Sequence, residues 1–456
     1  MNSMIFRQYD IRGIADVDLT DEVVTAVGRG MGGHFRDHGV TSAAVGRDIR
    51  LSSPRISAAL IQSLMDSGVD VTDVGEVPTP VLYHAAKVRK LGAGIMVTGS
   101  HNPIEYNGIK LVRGGAAVYG DEIQEIGARA REGRFVDGSG KTSRHDATPA
   151  YLEEVLPKLR SERPLHIVID CGNGAGALLA VEFFRALGHR VEPLFCEPDG
   201  RFPNHLPDPT VPELMADLSK KVTELGADLG LGFDGDADRV GAVDGNGRLI
   251  FGDQILALLA RDLLERCPGE RILFDVKCSQ ALMDDITAHG GTPIMGPTGH
   301  SLIKAKMKEE GILLAGEMSG HMFLGEDYYG FDDAFFAGAR LLSAVARWGR
   351  SLMELVDSLP RYRSTPEIRV DCPDDQKFAI VDRLVAAFSA DYDVIDVDGA
   401  RVQFGDGWGL VRASNTQPVL VFRFEAQSDQ RLKEIQDVFR QALQPFPAVR
   451  LPVSGA

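Results

Sequence analysis

Short apolar runs that stop at a polar turn, each followed by a stretch of helical spacing and a glycine, recur three times along the chain. In the first repeat, residues 43–48 read as a strand and turn, 53–67 as a helix stopped by Gly68, and 69–74 as a second strand. In the second, 165–170 is a β-branched strand, 172–176 a turn, and 177–187 a helix stopped by Gly188 before a strand at 190–195. In the third, a strand at 272–276 leads through Lys277-Cys278-Ser279 into a helix that ends at Gly290. A helix, then glycine, then an apolar run is the stop signal of strand-helix-strand units.

Each repeat continues into a further apolar strand that ends in an unusual polar loop. Residues 93–97 lead into Thr98-Gly99-Ser100-His101, 227–233 into Asp234-Gly235-Asp236-Ala237-Asp238-Arg239, and 311–314 into Gly316-Glu317-Met318-Ser319-Gly320-His321. Three such strand ends predict three similar α/β domains with mixed sheets, their loops converging on one cleft. The rhythm breaks between Pro360 and Pro366, a connector that reads as a hinge. Beyond it, strands at 367–370, 394–397, 400–404, 409–412 and 419–425, with helices at 376–388 and 429–443, predict a smaller α+β domain. The expected division is 1–148, 149–248, 249–362 and 363–456, four domains around a central cleft.

Composition narrows the function classes. The chain has 456 residues, 44% of them apolar, with 50 glycines, which suits a loop-rich α/β enzyme. A formal charge of −16 argues against a nucleic-acid surface or a polybasic membrane contact, so an anionic ligand must be held by a few local Arg and Lys side chains. The five cysteines are odd in number and lack C-x-x-C spacing, which indicates neither a disulfide framework nor a zinc site and fits a reducing cytoplasm. No basic flank with an apolar core opens the chain, and no apolar run approaches the roughly 18 residues of a membrane span. The expectation is a cytoplasmic protein that acts as a monomer on small molecules.

Candidate chemistry sits in the polar loops. Ser100, at a strand end, is expected to present an exposed hydroxyl where open α/β sheets place their ligands, and Lys110 lies near enough in sequence to return an ammonium to that loop. Read alone, Ser100 is also an ordinary helix or turn cap. Asp234, Asp236 and Asp238 alternate with Gly and Ala, which crowds three carboxylates into one tight loop. Like charges so close need a cation, and hard oxygen ligands in that number suit Mg²⁺. An EF-hand is ruled out because Arg239 and Gly245 occupy positions that require Gly and Glu. Arg239 beside the cluster can neutralise or orient a phosphoryl group.

Arg412-Ala413-Ser414-Asn415-Thr416 bundles a guanidinium, two hydroxyls and an amide after an apolar strand, a composition suited to cradling phosphate. Glu317 and Ser319, two residues apart, point the same way if their loop is extended and would match vicinal sugar hydroxyls. Gly172-Asn173-Gly174-Ala175-Gly176 resembles a dinucleotide loop, but its G-x-G-x-G spacing departs from the fingerprint, and these glycines read better as turn formers.

Taken together, the four loops resemble those of the α-D-phosphohexomutase family, within it the bacterial phosphomannomutase/phosphoglucomutase group. The resemblance runs from Tyr9-Asp10-Ile11-Arg12-Gly13 to the last domain. It implies that Ser100 is the phosphoserine and that its phosphate, with Asp234, Asp236 and Asp238, holds Mg²⁺. It implies that Lys110, Arg12 and His321 assist proton transfer, that Glu317 and Ser319 read the sugar O3 and O4, and that His101, His300 and Lys277 contact substrate. Arg412, Ser414, Asn415 and Thr416 would grip the substrate phosphate, and Tyr9 would line the cleft. Gln417 stands where the family loop usually has Glu. Thr98-Gly99 differs from the Ser-Ala of phosphoglucosamine mutases. The implied activity is interconversion of mannose or glucose 1-phosphate and 6-phosphate through a 1,6-bisphosphate, with glucose 1,6-bisphosphate as activator. Phosphoglucosamine mutase, a metal-dependent sugar phosphatase and a non-catalytic phosphosugar-binding protein stand as rivals.

Overall fold

The computed structural model describes residues 1–415 and 417–452. Among them, the first three sheets share one plan. In the first, Ser42–Arg47 lies between Asp70–Glu76 and Ala93–Val97, all parallel, and the chain then reverses so that Tyr106–Arg113 runs antiparallel to Ala93–Val97. The second repeats this order with His166–Asp170, Arg190–Leu194, Leu229–Phe233 and the returning Val240–Asp244. The third repeats it with Arg271–Asp275, Thr292–Gly296, Leu314–Gly316 and Met322–Leu324. In each of these three sheets the polar loop singled out in the sequence is the reversal between the last parallel strand and its antiparallel partner. That reversal places the loop at the carboxyl end of the parallel strands, where backbone and side-chain donors are free to face a ligand.

Local boundaries differ most from the expected ones in two places. The third loop strand is Leu314–Gly316, not 311–314, because Gly311 adopts φ 66° as the cap of helix His300–Glu310 and the chain extends only after it. The expected helix 177–187 is a 3₁₀ turn, Ala175–Leu178, followed by helix Ala180–Ala186, with Leu179 at φ −140° interrupting them.

The fourth sheet is antiparallel. It runs Arg363–Ser364, Val419–Ala426, Gly407–Ala413, Ala400–Gln403 and Asp393–Ile395, with Ile368–Asp371 also pairing Val419–Ala426. Helices Lys377–Phe388 and Asp429–Ala442 cover one face. Part of the connector expected to be a hinge is thus already an edge strand of this sheet.

The cores show how the domains are joined. One apolar cluster runs through the first three domains, from Val81 and Tyr83 through Tyr151, Phe183 and Phe233 to Phe335 and Leu342. The fourth domain keeps its own core around Phe388, Phe422, Phe424 and Phe439. Its apolar seam to the third domain is small, Trp408 and Leu410 against Val276. Among the described residues, no helix is long and apolar enough to cross a membrane.

Candidate active site

Ser100 sits in a loop that is held from its centre. The buried Arg50 guanidinium donates to the carbonyls of Pro103 (2.6 Å), Tyr106 (3.0 Å), Ser100 (2.8 Å) and Asn102 (2.6 Å). Asp48, at the end of the central strand, accepts the Gly99 amide at 3.0 Å and pairs with Arg50. With the Ile104 carbonyl, which Arg50 also reaches at 3.3 Å, six backbone groups of the loop are bonded by two buried side chains, which leaves it little freedom. Ser100 itself takes φ 49°, a left-handed conformation that costs a non-glycine residue about 1–3 kcal/mol. A side chain at Gly99 would meet Arg50 Nε at 2.4 Å, so only glycine lets the loop close on that guanidinium.

The expectation that the Ser100 hydroxyl lies exposed at a strand end is corrected by the structure. The residue is 2% exposed, because the Asp loop of the second domain covers it. Ser100 Oγ donates to Asp234 Oδ2 at 2.7 Å and lies 3.1 Å from His101 Nδ1. A Cβ at Gly235 would stand 2.2 Å from the Ser100 carbonyl, so that glycine is what allows the two loops to touch.

Asp234, Asp236 and Asp238 are fully buried and offer oxygens within 4.8 Å of one another. Asp234 Oδ1 accepts the amides of Asp238 and Arg239, both at 3.1 Å, which folds the loop around its first carboxylate. Lys110 reaches across from the first domain to Asp236 (2.7 Å) and Asp238 (2.5 Å), and Thr79 donates to Asp236 at 2.5 Å. Burial and the two neighbouring carboxylates push Asp234 well above the usual carboxylate range. Burial acts the same way on Asp236, but the Lys110 ammonium outweighs it and holds that group below the usual range. Lys110 in turn is held well above an ordinary lysine, the carboxylates overcoming the effect of burial. It is a fixed cation. Asp236 Oδ1 and Asp238 Oδ1 remain buried with no hydrogen-bond partner, so the cluster fits a divalent cation with oxygen ligands.

The remaining predicted residues are tied to one another and to neighbouring domains by side-chain contacts. Arg12 donates to Asn102 (3.1 Å) and to Asp10 (2.5 Å) at its edge. Arg239 Nε donates to His321 Nε2 at 2.9 Å, linking the second and third domains, and His321 Nδ1 lies 3.2 Å from Asp332. His300 stacks on His321 at 5.3 Å and also faces Asp332, while burial and then Lys304 lower its pKa to about 4. His101 is likewise held neutral, first by burial and then by the surrounding Arg239, Arg12 and Lys110.

Glu317 Oε1 accepts the Gly299 amide at 2.6 Å, and Ser319 donates to Glu317 Oε2 at 3.3 Å. The loop carrying them is a turn rather than an extended segment, closed by Gly320 N to Glu317 O at 3.0 Å. The pair nonetheless shares one side. Lys277 is bridged to Glu367 of the fourth domain at 3.3 Å. Arg412 is buried against Asp398 at 2.8 Å, and Asp398 also accepts the Thr298 amide from the third domain. Asn415 donates to the Tyr9 hydroxyl at 2.8 Å, and Tyr9 donates to the Thr298 carbonyl, so Tyr9 joins the first, third and fourth domains. Ser414 is buried at the start of that loop, and Thr416 lies outside the described residues.

Several site residues escaped the sequence reading: Asp48, Arg50, Thr79, Asp332, Glu367 and Asp398. One signal was available. The central strands of the first and third repeats each end on a buried aspartate that accepts an amide of the polar loop, Asp48 from Gly99 and Asp275 from Met318. Aligning the repeats would have marked both.

Known proteins match the chain along nearly its whole length. Sequence models of the phosphoglucomutase/phosphomannomutase alpha/beta/alpha domains I, II and III match residues 3–137, 149–247 and 251–362, and that of the C-terminal domain matches 367–442. A phosphomannomutase/phosphoglucomutase of Pseudomonas putida is 47% identical over 450 residues, covering 98% of this chain and 97% of its own. A phosphoglucomutase of Neisseria gonorrhoeae is 43% identical over 454 residues, covering 98% of each chain. The crystal structure of a phosphoglucomutase/phosphomannomutase family protein from Burkholderia thailandensis superposes with a TM-score of 0.94 at 44% identity, covering 99% of this chain and 100% of that one.

Proposed function

The chain belongs to the phosphoglucomutase/phosphomannomutase family, and from that membership we propose how its residues divide the reaction. The protein is a phosphohexomutase, which moves a phosphoryl group between positions of a hexose phosphate. The observation that carries the assignment of roles is the contact of Ser100 Oγ with Asp234 inside a pocket that also holds Lys110. That hydroxyl is the phosphoryl carrier. In the forward half, a sugar hydroxyl attacks the phosphorus on Ser100, the P–Oγ bond breaks, and Ser100 regains a proton. In the second half, Ser100 Oγ gives up its proton and attacks the other phosphorus of the resulting 1,6-bisphosphate, the bond from that phosphorus to the sugar oxygen breaks, and the sugar oxygen takes up a proton.

Asp234, Asp236 and Asp238, with an oxygen of the Ser100 phosphate, would hold Mg²⁺, which when bound neutralises charge on the transferring group. Lys110, a fixed ammonium, and Arg12 supply further positive charge, and His321 is the group assigned to exchange protons near Ser100. Arg239, oriented by its hydrogen bond to His321, would face the same phosphoryl group. His101, His300, Lys277, Glu317 and Ser319 position the sugar. Arg412, Ser414, Asn415 and Thr416 take its distal phosphate, and Tyr9 closes the wall between them.

Because donor and cradle stand at different ends of one cleft, the bisphosphate must turn end for end between the two transfers. Glu317 and Ser319 address O3 and O4, near the axis of such a turn, so they accept both orientations. The substrates assigned are mannose and glucose phosphates. The working unit assigned is a monomer, checked by sedimentation velocity.

Intact-mass and peptide mapping of purified protein, before and after glucose 1,6-bisphosphate, tests the carrier: phosphate is expected on Ser100, and phosphate found only elsewhere overturns it. Coupled assays with glucose, mannose and glucosamine 1-phosphates side by side test the sugar assignment.

A further inference from the structure

Cys171 and Cys196 take no part in the chemistry above, yet their sulfurs lie 3.3 Å apart. The register of the second sheet brings them there. Asp170 pairs with Leu194 at the carboxyl ends of two parallel strands, and each cysteine follows within two residues. The turns that deliver them are tight. Phe195 adopts φ 49° and Asn173 φ 59°, both left-handed, and the Asn173 amide bonds the Phe195 carbonyl at 2.8 Å. A bulky residue in that conformation is an outlier that surrounding contacts must hold in place.

The two thiols differ in access. Cys171 is buried, whereas Cys196 is half-buried and donates toward Cys171 Sγ and the Ile169 and Leu194 carbonyls. Reachable thiol beside a protected one is the arrangement of an attacking and a resolving cysteine. The contact with Cys171 also holds the Cys196 thiol below its usual range.

We propose that this pair is a site of reversible oxidation by hydroperoxides, and that its disulfide disturbs the Asp loop. Cys196 thiolate attacks a peroxide oxygen, the O–O bond breaks, and the departing alkoxide or hydroxide takes up a proton. Sulfur is oxidised by two electrons to the sulfenic acid and the peroxide is reduced. Cys171, losing its proton, attacks Cys196 Sγ, the S–O bond breaks, and the hydroxide leaves with that proton as water. A dithiol reverses the bond by exchange.

Forming an S–S bond of about 2.0 Å from the present separation draws the two turns together. Cys171 anchors the turn to the catalytic side: its carbonyl accepts the Gly174 amide at 2.7 Å, and the Ala175 amide bonds the Gly235 carbonyl at 2.9 Å. Gly235 is the residue whose contact with Ser100 admits no side chain. Shortening one end of this chain of contacts therefore moves the other.

The test treats the full-length protein with hydrogen peroxide, blocks remaining thiols with N-ethylmaleimide and maps non-reduced peptides. A linked peptide holding Cys171 and Cys196 is expected, with turnover falling by roughly an order of magnitude and returning with dithiothreitol. Cys196→Ser should lose both the linked peptide and the reversible inhibition, and Cys171→Ala should accumulate a dimedone-trappable sulfenic acid on Cys196. Oxidation confined to Cys267, Cys278 or Cys372, or Cys196 passing to sulfinic acid without a linked peptide, overturns the site. A quantitative disulfide with unchanged turnover overturns the coupling to the Asp loop. The activity readout rests on the mutase reading, but the peptide map does not, so failure of either is distinguishable.

Discussion

At the Ser100 end of the cleft the Lys110 ammonium is buried against two fully buried carboxylates of another domain, whereas at the Arg412 end Arg412 pairs within its own domain and Lys277 rests on the half-buried Glu367. Lys110 crosses from the first domain to Asp236 and Asp238 of the second, over an apolar core that both domains share. Arg412 and Lys277 lean on Asp398 and Glu367, in a domain with its own core and a small apolar seam. Buried cross-domain pairs are costly to separate, since breaking one leaves a charge without water or partner. A cation already paired with a carboxylate beside the cleft can instead exchange that partner for phosphate. The first end is suited to hold a transition state, and the second to capture and release a substrate. Changes at the first end should fall on kcat, and changes at the second on KM.

The sharpest way to break this contrast is at Ser100. Ser100→Ala is expected to lose most activity while leaving Mg²⁺ affinity, read by calorimetry against the dephosphorylated protein, largely intact. A fully active variant removes Ser100 from the mechanism.

Next come the contacts around it. Thorough chelation should abolish turnover, and Asp236→Asn should weaken metal binding by removing one of three anionic ligands. Turnover that survives chelation unchanged would make the cluster structural. Gly235→Ala, whose added methyl would fall 2.2 Å from the Ser100 carbonyl, should lower kcat with little change in KM. A normal kcat would mean that the two loops need not touch.

At the other end, Arg412→Ala should raise KM roughly ten- to hundredfold, the loss of a charge-assisted contact worth about 1.5–3 kcal/mol, with a smaller effect on kcat. An unaltered KM for both glucose and mannose phosphates would contradict a phosphate role.

The smallest effect concerns pH. Burial pushes Glu367 up, but Lys277 and Arg369 outweigh it and bring its pKa from 4.5 to about 2. A carboxylate lowered in the folded state stabilises above its unfolded pKa, and that contribution disappears as pH falls through the folded value. The bridge between the third and fourth domains should therefore hold at neutral pH and weaken between about pH 4.5 and pH 2. Hydrogen exchange of the fourth domain should report it, and Glu367→Gln should remove most of this acid dependence. An unchanged acid profile would assign the seam to apolar contacts alone.

Much of this organisation is local and so was readable from the chain. Apolar runs at 93–97 and 227–233 carry their own strand signal, and Gly99 and Gly235 just after them mark the reversals. Asp234-Gly235-Asp236-Ala237-Asp238-Arg239 declared a cation site because carboxylates so close in sequence cannot separate in space. The same pattern could not say what covers Ser100. Its burial comes from a carboxylate 134 residues away, and the bond of Thr79 to Asp236 spans 157. Arg50 looked like any loop arginine until folding wrapped the backbone carbonyls of residues 100–106 around it. Asp332, Glu367 and Asp398 acquire meaning only from the histidines, lysine and arginine that other segments bring to them. Periodicity and turn chemistry act within a few residues and are written in order along the chain. The partners of buried charges are selected by distance in three dimensions, which only the packed domains determine.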